Sequence, residues 1–263
     1  MSELKGKVAL VTGSSAGVGA ATVRKLAAKG CAVVINFSKS RAPAEAVAAE
    51  CQALGGEALL AQGNVAEDVD CRRIVAETLS RFGRIDYLVN NAGTTKFVAH
   101  RNLAGLSAED FQAIYAVNTI GPFQMVRAAE AALRAAHGAV VNVSSVAGVY
   151  GTGSSIAYVG SKAALNGMTL SLARVLGPEV RINAVCPGFI EGDWLRAGMG
   201  DKAYETARDM WRANAPLGTT NTAEDVADNI LMLLLYATNV TGETLLVDSG
   251  MRLAQPRPPI AAR

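Results

Sequence analysis

Tyr158 and Lys162 stand four residues apart in a helix-compatible run, and Ser145 lies thirteen residues before the tyrosine. Side chains at i and i+4 share one face of a helix. A free phenol titrates near ~10. A lysine ammonium about 4 Å away, at an effective dielectric of about 20, favours the phenolate by roughly 4 kcal/mol. At ~1.4 kcal/mol for each pH unit, that lowers the phenol by about 3, far enough for it to exchange a proton at working pH. Far upstream, the apolar run Val8-Ala9-Leu10-Val11 leads into Thr12-Gly13-Ser14-Ser15-Ala16-Gly17-Val18-Gly19. A glycine turn between a strand and a helix offers backbone N–H groups and the positive end of the helix dipole to an anion. Gly13 suits the tight turn, while Gly17 and Gly19 let backbone approach a pyrophosphate and let helix pack on strand. A phosphate cradle and a proton-transfer pair in one chain imply a nucleotide cofactor and a proton. Together they suggest hydride transfer to or from a carbonyl.

Residues so far apart in sequence need a frame, and the chain alternates strand and helix patterns. Val8–Val11 reads as a central parallel strand. A helix is expected from about Gly17 to Lys29, stopped by Gly30, then a strand at Ala32–Ile35. Pro43 opens an alanine-rich helix ending near Gly55-Gly56. Further strands are expected at Ala58–Ala61, Tyr87–Val89, Ala139–Val143, Arg181–Val185 and Thr244–Val247. Between them lie helices from about Asp68 to Arg81, Gly121 to Ala136 and Ile156 to Leu176, and one ending at Tyr236. Ser107 with Asp110, and Thr222 with Asp225, have the spacing of capping boxes. This alternation implies an α/β, Rossmann-like, doubly wound parallel sheet of about seven strands with helices on both faces. No linker separates two halves, so residues 1–263 read as one domain. The irregular stretch from Phe189 to Ala215 follows a strand's C-terminal end and is a candidate lid. The tail Gln255–Pro259 is expected to be extended.

Composition narrows the partners. Half of the 263 residues are hydrophobic and the formal net charge is +2, too small to argue for nucleic acid or a membrane surface. The longest apolar run, Ile230–Tyr236, is far short of a membrane span. The N-terminus lacks a signal-peptide pattern, which points to the cytoplasm. Cys31, Cys51, Cys71 and Cys186 form no CxxC pair and read as small buried hydrophobes in a reducing compartment. No metal pattern is present, and His100 and His137 are expected at the surface.

The combined motifs are more specific than any one of them. Thr12-Gly13-x-x-x-Gly17-x-Gly19, Asn90-Asn91-Ala92-Gly93, Asn118, Ser144-Ser145, Tyr158-x-x-x-Lys162 and Pro187-Gly188 occur together in this order. With them the chain resembles the short-chain dehydrogenase/reductase family over nearly its whole length, and reductases described as 3-oxoacyl-carrier-protein reductases most of all. The resemblance implies that Tyr158 is the general acid for carbonyl reduction and the base for the reverse reaction. Lys162 would hold the nicotinamide ribose and lower the phenol. Ser145, rather than Ser144, would hydrogen-bond the substrate oxygen, and Asn118 would anchor a water that links Lys162 to solvent. Asn90 to Gly93 would close against the adenosine ribose, Asn64-Val65 matches the adenine-binding pair, and Pro187, Gly188 and Ile190 complete the expected cofactor contacts. A homotetramer packed through the helices at Gly121–Ala136 and Ile156–Leu176 is also implied, with Leu165, Met168 and Leu172 as apolar contributors.

Departures from the family pattern bear on cofactor and substrate. Gly192 stands where the family often has a threonine whose hydroxyl reaches the cofactor, and Asp248-Ser249-Gly250 replaces Asp-Gly-Gly. At the end of the second strand, Asn36-Phe37-Ser38-Lys39-Ser40-Arg41 lacks the carboxylate that would bind both ribose hydroxyls of NAD. Hydroxyls with Lys39 or Arg41 could meet a 2′-phosphate, which favours NADP(H), with NAD as the alternative. Thr94, Thr95, Tyr150, Ser155 and Trp194 are candidates to line a pocket for a small carbonyl or alcohol. Pro178 occupies a place where carrier-protein-binding relatives present arginine. Two function classes stay open. One is an NADP(H)-dependent oxidoreductase acting on a ketone or secondary alcohol, with a 3-oxoacyl thioester as a candidate substrate and an NAD-dependent sugar or alcohol dehydrogenase as its variant. The other is a non-catalytic nucleotide-binding regulatory module, which would have no reason to keep both the phenol and its lysine.

Overall fold

Every residue of Val8–Val11 and of Ala139–Val143 is buried, so the polar backbone of these apolar runs must be paired on both sides. A computed structural model, describing residues 3–254, shows how this is done. Seven parallel strands form one sheet in the order β3-β2-β1-β4-β5-β6-β7. They are β1 Val8–Val11, β2 Ala32–Phe37, β3 Ala58–Gln62, β4 Tyr87–Asn90, β5 Ala139–Val143, β6 Arg181–Pro187 and β7 Thr244–Val247. The helices are α1 Gly17–Ala28, α2 Arg41–Ala53, α3 Asp68–Phe82, α4 Ala108–Tyr115, α5 Gly121–Ala136, α6 Ala147–Tyr150, α7 Ile156–Leu176, α8 Asp193–Met199, α9 Asp201–Asn214 and α10 Ala223–Leu231.

Strand alternation builds two cores, one on each face. Leu10, Val34, Leu88, Val140 and Ile182 pack with Ile74 of α3, Met125 and Leu133 of α5 and Leu176 of α7. Val11, Ile35, Val89, Val141 and Val185 pack with Val23 and Leu26 of α1, Val47 of α2 and Val226 and Ile230 of α10. Each such side chain contributes about 1.5–3 kcal/mol by leaving water. Leu10 is opposite Val34 on β2 and Leu88 on β4, so the strand order reverses at β1 and opens a crevice between the β1 and β4 loops.

Several expectations need correction. Strands β2 and β6 each run two residues further than expected, to Phe37 and Pro187. Helix α2 begins at Arg41, ahead of Pro43, because N–H groups of the first turn have no intrahelical partner to lose. Residues 189–215 are largely helical, as α8 and α9, rather than irregular. A wide π turn, Ala116–Ile120, joins α4 to α5, and another, Met232–Tyr236, follows α10. Both expected capping boxes are formed. His137 caps α5 in the left-handed conformation at φ 48° and is exposed, whereas His100 is half-buried with an enclosed Nε2. All four cysteines are buried free thiols. No helix among the described residues is long and apolar enough to cross a membrane. The tail Gln255–Pro259 lies outside the described residues.

Candidate active site

Thr12, at the end of β1, joins the two loops that flank the crevice. Its N–H donates to Val89 O at 2.9 Å, and its hydroxyl accepts from Asn91 N and Ala92 N at 3.0 Å each. Asn91 Nδ2 in turn donates to Thr12 O and Gly13 O, both at 2.9 Å. A Cβ on Gly19 would lie 2.5 Å from Asn91 Nδ2, and one on Gly13 would lie 2.8 Å from Ala92 Cα, so both glycines permit close packing. Gly17 is different. Its φ is +54° and nothing lies within 4 Å of where a Cβ would be. It is the first residue of α1, whose N-cap residue, Ala16, supplies no side-chain hydrogen bond and whose first turn has no acid. Uncapped first-turn N–H groups facing open space suit an anion.

Not every expected residue of the turns faces the crevice. Ser14 is buried and spends its hydroxyl on Val11 O at 2.8 Å, while Val18 joins the core. Ser15 is half-buried and Ala16 exposed. Asn90 is buried and donates to Asn142 Oδ1 at 2.9 Å; Asn142 Nδ2 continues the chain to Thr169 Oγ1. The amides of Asn90 and Asn91 therefore hold the β4 loop. What remains toward the crevice is the backbone of Ala92 and Gly93. Val65 is buried, and its carbonyl accepts from Gln124 Nε2 at 2.9 Å. Asn64 is exposed, with Oδ1 accepting from Ala66 N in a local turn.

Helix α7 places Tyr158 and Lys162 together. Ser155 caps the helix by accepting from Tyr158 N at 3.2 Å, so it positions the tyrosine's backbone rather than lining a pocket. The Tyr158 phenol hydrogen-bonds the Ser145 side chain, and Ser145 Oγ also accepts from Ala147 N at 3.1 Å. Ser144 is buried and donates to Lys162 O at 3.2 Å, a structural contact. Lys162 is buried, and its Nζ donates to Val143 O at 2.8 Å. Asn118 occupies the π turn, a feature that recurs at functional sites. Its Oδ1 accepts from Thr94 N at 2.8 Å, and its Nδ2 donates to Thr94 O at 2.9 Å and Ser161 Oγ at 3.0 Å. A Cβ on Gly93 would lie 3.6 Å from Asn118 Oδ1 and 3.7 Å from Lys162 Nζ, so the β4 loop, the π turn and α7 converge there.

The electrostatics overturn one expectation. Lys162 Nζ stands 5.7 Å from the Tyr158 ring centroid and points its proton at Val143 O. Burial pushes the phenol up to about 12, against the Ser145 hydrogen bond that favours the phenolate. Burial also holds the Lys162 ammonium down to about 8. Desolvation thus outweighs the charge attraction that the i,i+4 spacing suggested. A phenol in that range is neutral at pH 7 and able to donate. Cys186 is buried close enough to both groups to affect them electrostatically, which spacing alone did not reveal.

Beyond β6, α8 packs beside this cluster. Trp194 of α8 packs its ring 6.3 Å from Tyr158 and 5.9 Å from Phe97. Phe97 was not anticipated, since a lone aromatic in a loop has no periodic signal. Thr95 Oγ1 and Ser154 Oγ pair at 2.7 Å, and the Tyr150 hydroxyl donates to Asp248 Oδ2 at 2.6 Å. Gly188 lies beneath Trp211, whose Cζ2 would be 2.3 Å from an added Cβ, and Ile190 bridges to Asn221. Gly192 adopts φ +153°, and its N–H donates to the Tyr204 hydroxyl at 3.2 Å. At the end of β2, Asn36 turns inward: Oδ1 accepts from Gly13 N at 3.1 Å and Nδ2 donates to Ala61 O and Gly63 O. Phe37 is buried, Ser38 and Lys39 are exposed, and the Arg41 guanidinium lies 5.5 Å from the Phe37 ring centroid.

Known proteins resemble this chain in sequence and fold. Residues 13–252 match the family described as enoyl-(acyl carrier protein) reductase. The chain is 41% identical over 247 residues to a protein of Streptomyces violaceoruber described as ketoacyl reductase 2 of the granaticin polyketide synthase, covering 94% of this chain and 96% of that one. It is 38% identical over 255 residues to a 3-oxoacyl-[acyl-carrier-protein] reductase of Synechocystis sp., covering 95% and 99%. A crystal structure from Burkholderia xenovorans, described as a short-chain dehydrogenase/reductase, superposes with a TM-score of 0.88 at 36% identity, covering 97% of this chain and all of that one.

Proposed function

The chain belongs to the short-chain dehydrogenase/reductase family and is an NAD(P)H-dependent oxidoreductase that reduces ketones, and from that premise we propose that it uses NADPH and the Tyr158, Lys162, Ser145 and Asn118 set. The substrate is a small ketone, in the class that includes 3-oxoacyl thioesters. The enzyme works in the cytoplasm as a homotetramer. The observation that carries the chemistry is the neutral Tyr158 phenol, hydrogen-bonded to Ser145 and beside buried Lys162.

The crevice fits a dinucleotide. The open cradle at Gly17 and the uncapped start of α1 would take the pyrophosphate. Backbone of Ala92 and Gly93, with Asn64, Val65, Gly188 and Ile190, would flank the adenosine and nicotinamide halves, and Lys162 would meet the nicotinamide ribose. Exposed Ser38 and Lys39, with no acid at the end of β2, favour a 2′-phosphate. When bound, the nicotinamide supplies the hydride. Ser145 Oγ orients the carbonyl oxygen, and Tyr158 gives that oxygen its phenolic proton. Lys162 then stabilises the phenolate left behind until it is reprotonated. Asn118 fixes the Thr94 backbone and Ser161, and so the gap between the β4 loop and α7.

Nicotinamide absorbance with a panel of ketones and β-ketoesters tests the proposal. Tyr158→Phe is expected to lower kcat by about 10²-fold or more, with cofactor Kd unchanged. A Phe variant with wild-type kcat would overturn the assignment. NADPH is expected to bind about tenfold tighter than NADH, the scale of one charge-assisted hydrogen bond. Ser38→Asp is expected to reverse the order, and equal binding of the two cofactors by the unaltered protein would overturn the NADP(H) reading. Position 37 is unsuitable for that substitution because Phe37 is buried.

A further inference from the structure

Three aromatic rings run in contact across the mouth of the cluster. Tyr158 and Trp194 stand 6.3 Å apart at 47°, and Trp194 and Phe97 stand 5.9 Å apart at 59°. Helix α8 is seated on Phe97, because a Cβ on Gly198 would lie 1.9 Å from Phe97 Cε2 and only glycine lets the helix come so close. That seating holds Trp194 beside the phenol, yet Trp194 remains 51% exposed, so indole surface is left for something else to cover. Most charged groups on the same segments are engaged elsewhere, and Asp193, at the start of α8, is exposed to solvent. Lys96 Nζ pairs with Asp110 at 2.7 Å, and Arg196 pairs with Asp201 at 2.9 Å and Glu205 at 2.8 Å. Thr95 and Ser154 satisfy each other. The side chains stacked beside Tyr158, Trp194 and then Phe97, are aromatic and uncharged.

A carbonyl whose oxygen reaches the Tyr158 hydroxyl brings its substituent against these rings. We propose that Trp194 is a specificity-determining residue, selecting ketones that carry a flat, uncharged ring within one methylene of the carbonyl and stacking that ring on the exposed indole surface. This rests on the ketone-reductase reading above and deepens it. Offset or tilted ring pairs are favoured over other apolar contacts by their quadrupoles. Linear acyl chains gain only burial from the same surface.

The test compares 2-tetralone with the N-acetylcysteamine thioester of acetoacetate, in the presence of NADPH. Trp194→Ala is expected to lower kcat/KM for 2-tetralone about tenfold, mostly through KM, the size of one lost ring contact with its buried area. The linear thioester is expected to lose less than about threefold by the same reasoning, and Trp194→Phe should keep most of the tetralone rate. Equal losses on both substrates, or no loss on 2-tetralone, overturn the proposal; equal losses would mean that Trp194 serves lid closure. Binding is read separately from turnover, as saturable quenching of tryptophan emission by 2-tetralone. That quench should vanish in Trp194→Phe, where the remaining emission comes from half-buried Trp211, under Gly188 and outside the ring contact. If it persists unchanged, the proposal fails, whatever the turnover. If neither ketone is reduced but the Trp194-dependent quench is present, the reductase reading fails and ring recognition stands.

Discussion

Burial leaves Lys162 Nζ with one acceptor, Val143 O at 2.8 Å, and takes its ammonium from an ordinary 10.5 down to about 8. The sign follows from linkage. A depressed pKa in the fold gives stability that is complete above 10.5 and is lost as pH falls toward about 8. Below that the loss is constant, about 3 kcal/mol at ~1.4 kcal/mol for each pH unit. Tyr158, raised to about 12, behaves oppositely: its contribution is complete below 10 and lost only between 10 and about 12. At neutral pH the lysine is thus a destabilising residue kept for chemistry. Lys162→Met removes the buried charge and keeps most of the apolar stem. Its Tm at pH 7, measured without cofactor, is expected to rise by about 5 °C, with the gain shrinking toward pH 10 and activity lost. A lower Tm at pH 7 would contradict this account.

Helices α8 and α9 are held in place by contacts within their own segment and with the segment around residue 220. Glu191 pairs with Arg212 at 2.5 Å and accepts from the Thr220 hydroxyl, which together hold its carboxyl below the usual range. Gly192 N–H donates to Tyr204, which is buried beside Phe189. The missing threonine hydroxyl at position 192 is therefore matched by a latch of other residues. The φ of +153° at Gly192 is a region nearly confined to glycine, where another residue costs about 1–3 kcal/mol. Gly192→Thr is expected to loosen α8 and α9, speeding trypsin cleavage at Arg196, Arg208 or Arg212 several-fold and raising the KM for NADPH. Unchanged cleavage with a lower KM would show that the hydroxyl matters more than the strain. Sequence made this region hard to read because Gly192, Gly198 and Gly200 interrupt it, although Tyr204 and Trp211 stand one helical heptad apart. Elsewhere the helix spans of α5 and α7, both capping boxes and the placing of Ser145, Tyr158, Lys162 and Asn118 near one another were legible, because periodicity and caps are local. The inward turn of Ser14, Asn36 and Phe37, the Phe97–Trp194 contact and the raised phenol were not, because each depends on what another segment brings against it.

At the scale of the molecule, α5 and α7 present apolar side chains that the fold does not cover. Leu165, expected on an outward face of α7, is buried in the monomer, and Met168 and Leu172 are half-buried. The exposed contributors are instead Leu170 at 54% and Val175 at 61% on α7, with Phe123 at 40% on α5 and Ile120 at 49% just before it. A groove of about 260 Å³ runs between the two helices, with Phe123, Val126, Leu172 and Val175 beside the charged Arg127, Glu130 and Arg134. Exposed apolar side chains on neighbouring helices are a liability in a monomer, and identical faces can cover one another across two-fold axes. The small net charge of +2 offers little repulsion against self-association. Light scattering at micromolar concentration is expected to give a tetramer mass. Leu170→Glu with Val175→Glu places like charges opposite each other wherever this face meets its own copy, and is expected to yield a smaller species with retained secondary structure. Because α7 also carries Tyr158 and Lys162, the same variant should lose part of its ketone-reductase rate as the helix loses its support. A fully active monomer, before or after those substitutions, would show that the exposed face has no part in assembly and that the site needs none.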